Sequence, residues 1–343
     1  MERCLVSVRT VWDIVSIPGA DNIELAKIDG WQCVIKKGEF RVFDKCVFCE
    51  IDSFLPVMPM YEFLRKSSYR RMGDAEGFRI KTIKLKGQVS QGLALPMSMF
   101  PKLDPSFSGD LSEFLGVVKY EKPEPLFLTG NRIRSFPEFV PKTGQERIQN
   151  LWYSDKLNRD GPYEVTVKLD GTSFTAYWNG ARFGVCSRNT EIEEDDSLYW
   201  RIARKYELRE ILSGLGDYAI QGEIIGPGVQ GNTEKLDELG LYVYDIYNIK
   251  EQHYLDPTMR LFHENVLNRV LAKRGPVRLN SVPFVGITTL DKFSLHSLLE
   301  YADGTSLNPD VTREGVVFRS LKPQEGMVNS FKVINNKFLL KEQ

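Results

Sequence analysis

Short runs of alternating apolar and polar residues fill the chain from residue 5 to residue 55, for example at 31–35 and 45–51, and turn formers separate them. Alternation with a period of two is typical of strands that bury one face. Many short strands at this spacing predict a small β-barrel. Residues 122–125, with two prolines, are the best linker candidate, so we place a domain boundary after residue 118. The predicted domains are residues 1–118 and 119–343.

Strand and helix patterns are mixed in the second predicted domain. Residues 163–177 predict two strands that form a hairpin around a tight turn at Asp170-Gly171. Further strands are predicted at 218–225, 241–246, 314–319 and 329–334, and helices at 198–212, 260–273 and 294–302. Thr143 with Glu146 three residues later matches a capping box, which predicts a helix start that carries Arg147 toward the surroundings of Lys168.

Residues 78–86 contain four cations in a run that alternates with apolar residues, namely Arg79, Lys81, Lys84 and Lys86. We expect a single strand that places these cations on one exposed face. Such a face is either a solvated surface or a nucleic-acid-binding surface that follows phosphates. The pattern alone leaves both readings open.

Composition excludes several classes of protein. With 343 residues, 42% hydrophobic and 27% charged, the chain is expected to form two soluble domains with substantial cores. A net charge of −1 excludes a globally basic nucleic-acid binder, so any such surface must be local. Five cysteines, an odd number, argue against a disulfide framework and for a reducing setting. We therefore expect an intracellular, soluble protein, cytoplasmic or nuclear, without a membrane span.

Two short motifs do not support the function that they first suggest. Cys46 and Cys49 have the spacing of zinc ligands, but no second pair follows and their surroundings predict a strand. Residues 226–231 match the dinucleotide fingerprint by letter, yet a proline lies in the loop and no clear crossover helix follows. We reject both a zinc site and a Rossmann site.

Lys168 lies two residues before Asp170, in an otherwise apolar and β-branched run. A lysine acts as a nucleophile only after losing its proton, which requires a lowered pKa. Asp170 lies on the same face of an extended chain and can hold a metal-bound water there. The alternative is an exposed lysine before a turn, without catalytic function.

Five short motifs follow one another along the chain: Lys168-Leu-Asp-Gly171, Gln221-Gly-Glu223, Leu241-Tyr-Val-Tyr-Asp245, Glu314-Gly-Val-Val317 and Ser330-Phe-Lys332. In this order they resemble the motifs of the nucleotidyltransferases of the covalent ligase and mRNA-capping superfamily, and the resemblance covers about residues 130–340. Ser187-Arg-Asn189 also resembles the Ser-Arg element that follows the lysine in this superfamily.

The position of the predicted barrel decides which member the chain resembles most. DNA ligases and capping enzymes usually carry an OB domain after the fifth motif, but only eleven residues follow Lys332. A barrel in front of the motifs, with segments such as 18–23, 51–56 and 87–96, resembles the Deinococcus-type ATP-dependent RNA ligases. The resemblance implies an α+β protein, with an N-terminal OB-like β-barrel followed by an antiparallel-sheet nucleotidyltransferase domain.

The resemblance also implies roles for individual residues. Lys168 attacks the α-phosphorus of ATP, and Asp170 and Glu314, with Glu223 nearby, surround a divalent Mg²⁺ or Mn²⁺ ion. The nucleotide-binding residues that it implies are Glu223 at the ribose, Tyr244 on adenine, Val316 or Val317 on the opposite face, Arg188 near the ribose or the nick, Arg147 near the outgoing phosphates and Lys332 at the α-phosphate. Arg79, Lys81, Lys84 and Lys86 would bind nucleic acid. Many members have Lys-x-Lys in the fifth motif; here Ser330 replaces the first lysine, and Lys337 is a candidate substitute.

The implied function is sealing of RNA breaks or nicks with 3′-hydroxyl and 5′-phosphate ends, through lysine–AMP and an adenylylated RNA 5′ end. The expected partners are ATP and RNA, in a nicked duplex or an RNA/DNA hybrid, and the protein is expected to be a monomer active in RNA repair. Two alternatives remain: a DNA ligase or GTP-dependent capping enzyme, and an inactive OB protein that only binds nucleic acid.

Overall fold

A computed structural model describes residues 3–121 and 132–341. The chain divides into two compact units. Within the described residues, the first unit comprises 3–121, 146–155 and 336–341, and the second comprises 132–145 and 156–335. The predicted linker at residues 122–125 lies outside the described residues, and the boundary after residue 118 remains a prediction.

The first unit contains eleven described strands in three antiparallel sheets. The strands are β1 Val6–Ser16, β2 Ile23–Ile28, β3 Trp31–Lys36, β4 Lys45–Cys49, β5 Ser53–Pro56, β6 Tyr69–Met72, β7 Ala75–Arg79, β8 Ile83–Leu85, β9 Gln88–Ser90, β10 Leu93–Pro96 and β11 Val118–Lys119. One sheet has the order β10-β4-β1-β2-β3, a second has the order β11-β5-β7-β6, and β8 pairs with β9. This arrangement agrees with the predicted strand-rich N-terminal half.

Two hydrophobic clusters fill the first unit. One contains Val47, Leu55 and Phe78, and the other contains Ile28, Trp31 and Phe48. The helices of this unit are short: 3₁₀ helices Pro59–Leu64 and Met97–Met99, and α-helices α1 Arg65–Ser68, α2 Ile148–Leu151 and α7 Asn336–Lys341. The last two come from distant parts of the sequence, so the unit is not continuous along the chain.

The second unit contains two sheets, of eight and four strands. Its strands are β12 Arg132–Ser135, β13 Tyr163–Lys168, β14 Thr172–Trp178, β15 Phe183–Cys186, β16 Thr190–Ile192, β17 Tyr218–Ile225, β18 Gly240–Asn248, β19 His253–Tyr254, β20 Asn280–Ser281, β21 Phe284–Thr288, β22 Gly315–Ser320 and β23 Ser330–Ile334. The first sheet has the order β12-β16-β15-β14-β17-β18-β19, with β20 paired to β18 in parallel, and the second has the order β21-β13-β22-β23. All other pairings are antiparallel, as predicted.

The helices of the second unit are α3 Leu198–Lys205, α4 Leu208–Leu215, α5 Pro257–Ala272, α6 Leu295–Tyr301 and a 3₁₀ turn at Gln230–Asn232. The helix predicted at 198–212 is interrupted, because Glu207 has a positive φ of 47° between α3 and α4. Residues of α3, α4 and α5 join the buried faces of β14, β17 and β18 in one hydrophobic cluster.

The hairpin predicted at residues 163–177 is wrong. Both strands exist, but β13 pairs with β21 and β22, whereas β14 pairs with β15 and β17. The turn at Asp170-Gly171 therefore carries the chain from one sheet to the other. A Cβ on Gly171 would lie 2.3 Å from the carbonyl oxygen of Ile224, so glycine is required there for close packing on β17.

The single strand predicted at 78–86 is also wrong. β7 ends at Arg79, residues 80–82 are irregular, and β8 begins at Ile83 in a different sheet. The alternation changes phase between Lys81 and Lys84, three residues apart, which a continuous strand would place on opposite faces. The four cations therefore do not share one strand face.

Candidate active site

Lys168 is the last residue of β13 and contacts Glu314, which directly precedes β22. The lysine Nζ donates a hydrogen bond to Glu314 Oε2 at 2.6 Å, and the two side chains are 27% and 17% exposed. The β13–β22 register pairs Lys168 with Gly315. A Cβ on Gly315 would lie 2.2 Å from the carbonyl oxygen of Val333, so the glycine of this motif is needed for strand packing.

Three carboxylates act on Lys168. Burial lowers the pKa of Lys168, but Glu314, Glu223 and Asp170 raise it, and the net pKa lies above its ordinary value. Burial raises the pKa of Glu223 to about 7, with further contributions from Glu314 and Asp170 and with Lys168 acting in the opposite direction. The lysine is therefore held as an ammonium ion in the protein alone, contrary to the lowered pKa that a nucleophile requires.

Tyr244 is placed by a bulge in β18. In the β17–β18 register Gln221 pairs with Asp245 and Gly222 with Val243, so Tyr244 is the extra residue. A bulge turns a side chain away from the regular alternation of its strand. The Tyr244 hydroxyl lies 3.3 Å from that of Ser173, which lies 2.5 Å from that of Thr143.

Thr143 does not cap a helix, contrary to the prediction. The nearest helix, α2, begins at Ile148, and its N-cap Arg147 makes no side-chain capping bond. The Thr143 hydroxyl instead contacts Ser173, a residue opposite Glu223 across β14 and β17. The Thr143 hydroxyl therefore makes a tertiary contact, which the spacing of residues in the sequence does not predict.

A buried network joins Tyr244 to the lysine strand. Arg319 donates to both carboxylate oxygens of Asp245, at 2.7 and 3.2 Å, and to the Thr166 hydroxyl at 3.0 Å. Its guanidinium carbon lies 5.6 Å from the centre of the Tyr244 ring. Arg260 on α5 donates to the carbonyl oxygen of Tyr244 at 3.0 Å and to both carboxylate oxygens of Glu164.

The two arginines of this network were missed by sequence analysis. Glu164, Thr166 and Lys168 alternate on β13 and so share one face. This alternation could have indicated that Glu164 and Thr166 have polar partners on the sheet face that carries Lys168.

Strand register places Lys332 on the side of Lys168. Val317 pairs with both Thr166 and Lys332, and paired residues project to the same face of a sheet. Val316 pairs with Val167 and faces the other side, so it does not share the face of Lys168. Of the two valines proposed for adenine, only Val317 has a suitable position.

The chain is similar to known protein families and solved structures. A model described as an OB-fold domain matches residues 5–97, and a model described as RNA ligase matches residues 161–334, about half of the chain. A mutant RNA ligase from Naegleria gruberi in its apo form is 40% identical, with a TM-score of 0.92 over 99% of this chain and 98% of that chain. The chain belongs to the RNA ligase family.

Two further Naegleria gruberi RNA ligase structures carry ligands. One mutant with ATP and Mn is 41% identical, with a TM-score of 0.90 over 98% of each chain. Another, with AMP and Mn, is 41% identical, with a TM-score of 0.90 over 99% of each chain. Among curated proteins no match was found. Family membership confirms the predicted enzyme class and the order of an OB fold followed by a ligase domain.

In this RNA ligase, Arg188 and Arg147 lie in different environments. Arg188 is exposed between β15 and β16, and its charge lowers the pKa of Glu223, although burial and other carboxylates outweigh it. Arg147 belongs to the first unit, where its guanidinium lies 3.3 Å from Asp52. Lys337 lies on α7 of the first unit. The nucleotide roles of Arg147 and Arg188 and the substitution by Lys337 remain predictions.

The four cations predicted to bind nucleic acid differ in exposure. Arg79 is 13% exposed, lies 3.3 Å from Asp52 and stacks 4.5 Å above the Tyr120 ring. Burial, together with Arg70 and Arg79, lowers the pKa of Lys81. Lys84, in the middle of β8, and Lys86, at the β8–β9 turn, are exposed, and Lys81 is half-buried. The last three therefore remain the better candidates for contacts with phosphates.

The acidic groups fit an indirectly bound cation. Among the described residues, no three side chains have the arrangement of direct metal ligands. Three carboxylates nevertheless surround one lysine, and burial, with smaller contributions from Glu314 and Asp170, raises the pKa of Glu223. Asp170 and Glu314 thus suit the predicted role of holding metal-bound waters.

No helix of the described residues is long and apolar enough to cross a membrane.

Proposed function

We propose that this RNA ligase uses ATP and Mg²⁺ or Mn²⁺ to seal RNA with 3′-hydroxyl and 5′-phosphate ends, through a covalent lysine–AMP on Lys168. The observation that carries the proposal is the placement of Lys168 among Glu314, Glu223 and Asp170, with Tyr244 held at a strand bulge of the same unit. The solved relatives with ATP and Mn and with AMP and Mn support the choice of nucleotide and metal.

In the first step, Lys168 releases its ammonium proton to solvent and the neutral Nζ attacks the α-phosphorus of ATP. The P–N bond forms, the bond to pyrophosphate breaks, and a second proton leaves the nitrogen. Lys332, on the same sheet face, stabilises the charge that develops on the α-phosphate. Tyr244 stacks on adenine and Glu223 accepts a hydrogen bond from the ribose. A bound divalent cation would supply positive charge that offsets the phosphates and the three carboxylates.

The AMP group then passes from Lys168 to the 5′-phosphate of RNA, and a 3′-hydroxyl displaces AMP to close the strand. The division into a nucleic-acid-binding domain at 1–118 and a nucleotidyltransferase domain at 119–343 remains part of this proposal. The proposal also includes action on a nicked duplex or an RNA/DNA hybrid, a role in RNA repair, a monomeric state and a cytoplasmic or nuclear location.

Incubation with labelled ATP or labelled GTP and Mg²⁺, followed by denaturing gel analysis, tests the proposal. We expect label from ATP on the protein and loss of that label when nicked RNA is added. Nicked DNA serves as the parallel substrate. Labelling by GTP, or label from ATP that only nicked DNA removes, would contradict the proposed nucleotide or substrate.

A further inference from the structure

Two large aromatic side chains of the first unit lie side by side in solvent. Trp12 is 53% and Phe43 is 69% exposed, and their ring centres are 6.1 Å apart with planes at 89°. In such an edge-to-face pair at least one face of each ring stays outside the contact. Contiguous exposed apolar surface, unlike a single exposed ring, often marks a binding site.

The Trp12 ring is directed outward by a bulge in β1. Val11 pairs with Ile28 and Asp13 with Lys27, so Trp12 is the extra residue between them. A bulge re-aims the side chain of the residue that it inserts.

The Trp12 indole N–H donates to Asp29 Oδ1 at 2.9 Å. This bond fixes the ring in its outward orientation.

Phe43 is held by an irregular backbone. Its φ is +74°, a conformation that a bulky side chain rarely adopts. Its N–H donates to the carbonyl oxygen of Val11 at 2.7 Å, which ties the turn to β1 next to Trp12. Strain of this kind persists where surrounding structure enforces it, often at functional sites. Both rings are therefore pre-positioned.

Exposed cations beside the rings can contact phosphates, although Asp13, Asp29 and Asp44 also lie nearby. Arg41 and Lys45 flank Phe43 in sequence and are exposed, and Lys45 Nζ donates to the Thr10 hydroxyl at 2.8 Å. Within the described residues, no carboxylate lies at ion-pair distance from either cation. The nearby acids already accept bonds within the protein: Asp29 from the Trp12 indole, and Asp44 from the Arg41 backbone N–H at 2.7 Å.

We propose that Trp12 and Phe43 form a stacking surface for unpaired bases of the RNA substrate, with Arg41 and Lys45 beside the adjoining phosphates. Exposed rings with interleaved cations are the arrangement by which OB folds bind single strands. The choice of RNA as the occupant rests on the proposed function. The surface is distinct from Lys81, Lys84 and Lys86, because it is built on β1 and the turn before β4.

The test compares full-length Trp12→Ala and Phe43→Gly with the unsubstituted protein. Glycine accepts the positive φ of Phe43, so removal of this ring relieves backbone strain. Phe114→Ala is the matched control, because Phe114 is 70% exposed in the same unit. Fluorescence anisotropy measures binding of a labelled single-stranded RNA of about 12 nucleotides and of a blunt RNA duplex, over a series of salt concentrations.

We expect each variant to bind single-stranded RNA at least about fivefold more weakly, from the usual contribution of one stacked base. The salt slope should not change, because stacking releases no counterions. Duplex binding and lysine–AMP formation should also be unchanged. The proposal would be overturned by unaltered affinity for single strands, by an equal loss of affinity in Phe114→Ala, or by a reduced salt slope. Unaltered affinity would indicate that the surface binds a protein partner instead of RNA.

Lysine–AMP formation is measured on the same preparations. A failure of the proposed function would appear as absence of this adduct in the unsubstituted protein. A failure of the stacking surface would appear only in the comparison of RNA affinities, so the two failures are distinguishable.

Discussion

Glu314 is the residue that most directly controls the protonation of Lys168. Its carboxylate is 2.6 Å from Nζ, and among the charged neighbours it contributes most to raising the pKa of the lysine. An ammonium ion cannot attack phosphorus. Positive charge added near Glu314 would favour the neutral amine of Lys168. Glu314 therefore has two opposing effects. In the free protein it stabilises the ammonium form of Lys168, and it also attracts a cation whose charge favours the neutral amine.

We expect Glu314→Gln to slow lysine–AMP formation on the order of 100-fold, a typical loss for a group that acts through transition-state charge. ATP binding should change little, because the affected charge develops mainly as phosphorus is attacked. Single-turnover rates and ATP affinity, with exposed Glu325→Gln as a control, measure this. A faster rate would mean that Glu314 acts only by raising the pKa of Lys168.

At the residue scale the motifs identified Lys168, Asp170, Glu223 and Glu314 from sequence, since each lies in a short ordered pattern. They did not identify Arg319 or Arg260 as partners. Those arginines act through contacts with residues 74 and 96 positions away, and no local spacing reports such contacts.

The ion pair of Arg319 with Asp245, whose side chains are 7% and 11% exposed, joins β22 to β18, and the hydrogen bond from Arg319 to Thr166 joins β22 to β13. Removing one partner of a buried pair leaves an uncompensated charge, whereas replacing both partners by apolar residues is often tolerated. The pair also lies against the ring of Tyr244. Its proposed role is to position that ring for adenine.

We expect Arg319→Met to lower the free energy of unfolding by about 3–5 kcal/mol. The double variant with Asp245→Leu should recover much of this loss but not the affinity for ATP, because Tyr244 remains without its supporting cation. Urea unfolding and ATP binding in a double-mutant cycle test both points. Recovery of ATP affinity together with stability would contradict the positioning role.

A second polar network belongs to the first unit, where Arg3, Arg79 and Arg147 surround Asp52. Burial raises the pKa of Asp52, but Arg147, Arg3 and Arg79 lower it, and the net pKa lies below its ordinary value of 3.8. The stability that this carboxylate contributes is therefore present above pH 3.8 and is lost as the pH falls through the lowered pKa.

We expect Asp52→Asn to cost about 1–3 kcal/mol at pH 7, a typical value for bonds to a charged group. Asparagine tolerates the positive φ of 70° at this position, so the backbone should be retained. The difference from the unsubstituted protein should shrink toward pH 3. Urea unfolding at both pH values measures it, and a difference independent of pH would contradict the ionic origin.

Strands were easier to predict than their partners. Alternation identified β13 and β14, but the turn between them did not reveal that they enter different sheets. The pairing depends on contacts with β22 and β17, more than 40 residues away. The misassigned basic strand at 78–86 has a local cause, the change of phase after Lys81, which was readable from the sequence.

At the scale of the whole molecule, the two units are interleaved along the chain. Residues 146–155 and α7 pack in the first unit, where the Asn150 side chain accepts hydrogen bonds from Trp31 and Arg9. A cut after residue 118 would therefore remove the partners of buried Ile148 and Trp152. Substitutions in the full chain are therefore the better test of whether the two predicted domains have separate roles in RNA binding and ATP chemistry.

We expect replacement of Lys81, Lys84 and Lys86 by alanine to weaken nicked-RNA binding and to flatten its salt dependence, by about one unit of slope for each phosphate that the protein no longer neutralises. Lysine–AMP formation should be unchanged, since every residue assigned to ATP chemistry lies after residue 140. Lys102→Ala is the control, an exposed lysine elsewhere in the same unit. An unchanged slope would show that these lysines do not bind phosphate.

The central claim is that Lys168 carries the AMP group. Peptide mass spectrometry after incubation with ATP and Mg²⁺ locates the adduct directly, with Lys332→Ala as a variant that slows the reaction without moving its site. We predict a single modified residue, Lys168, and no adduct in Lys168→Ala, which should still seal a nick that already carries a 5′-adenylate. An adduct on another lysine, or undiminished labelling of Lys168→Ala, would contradict the account.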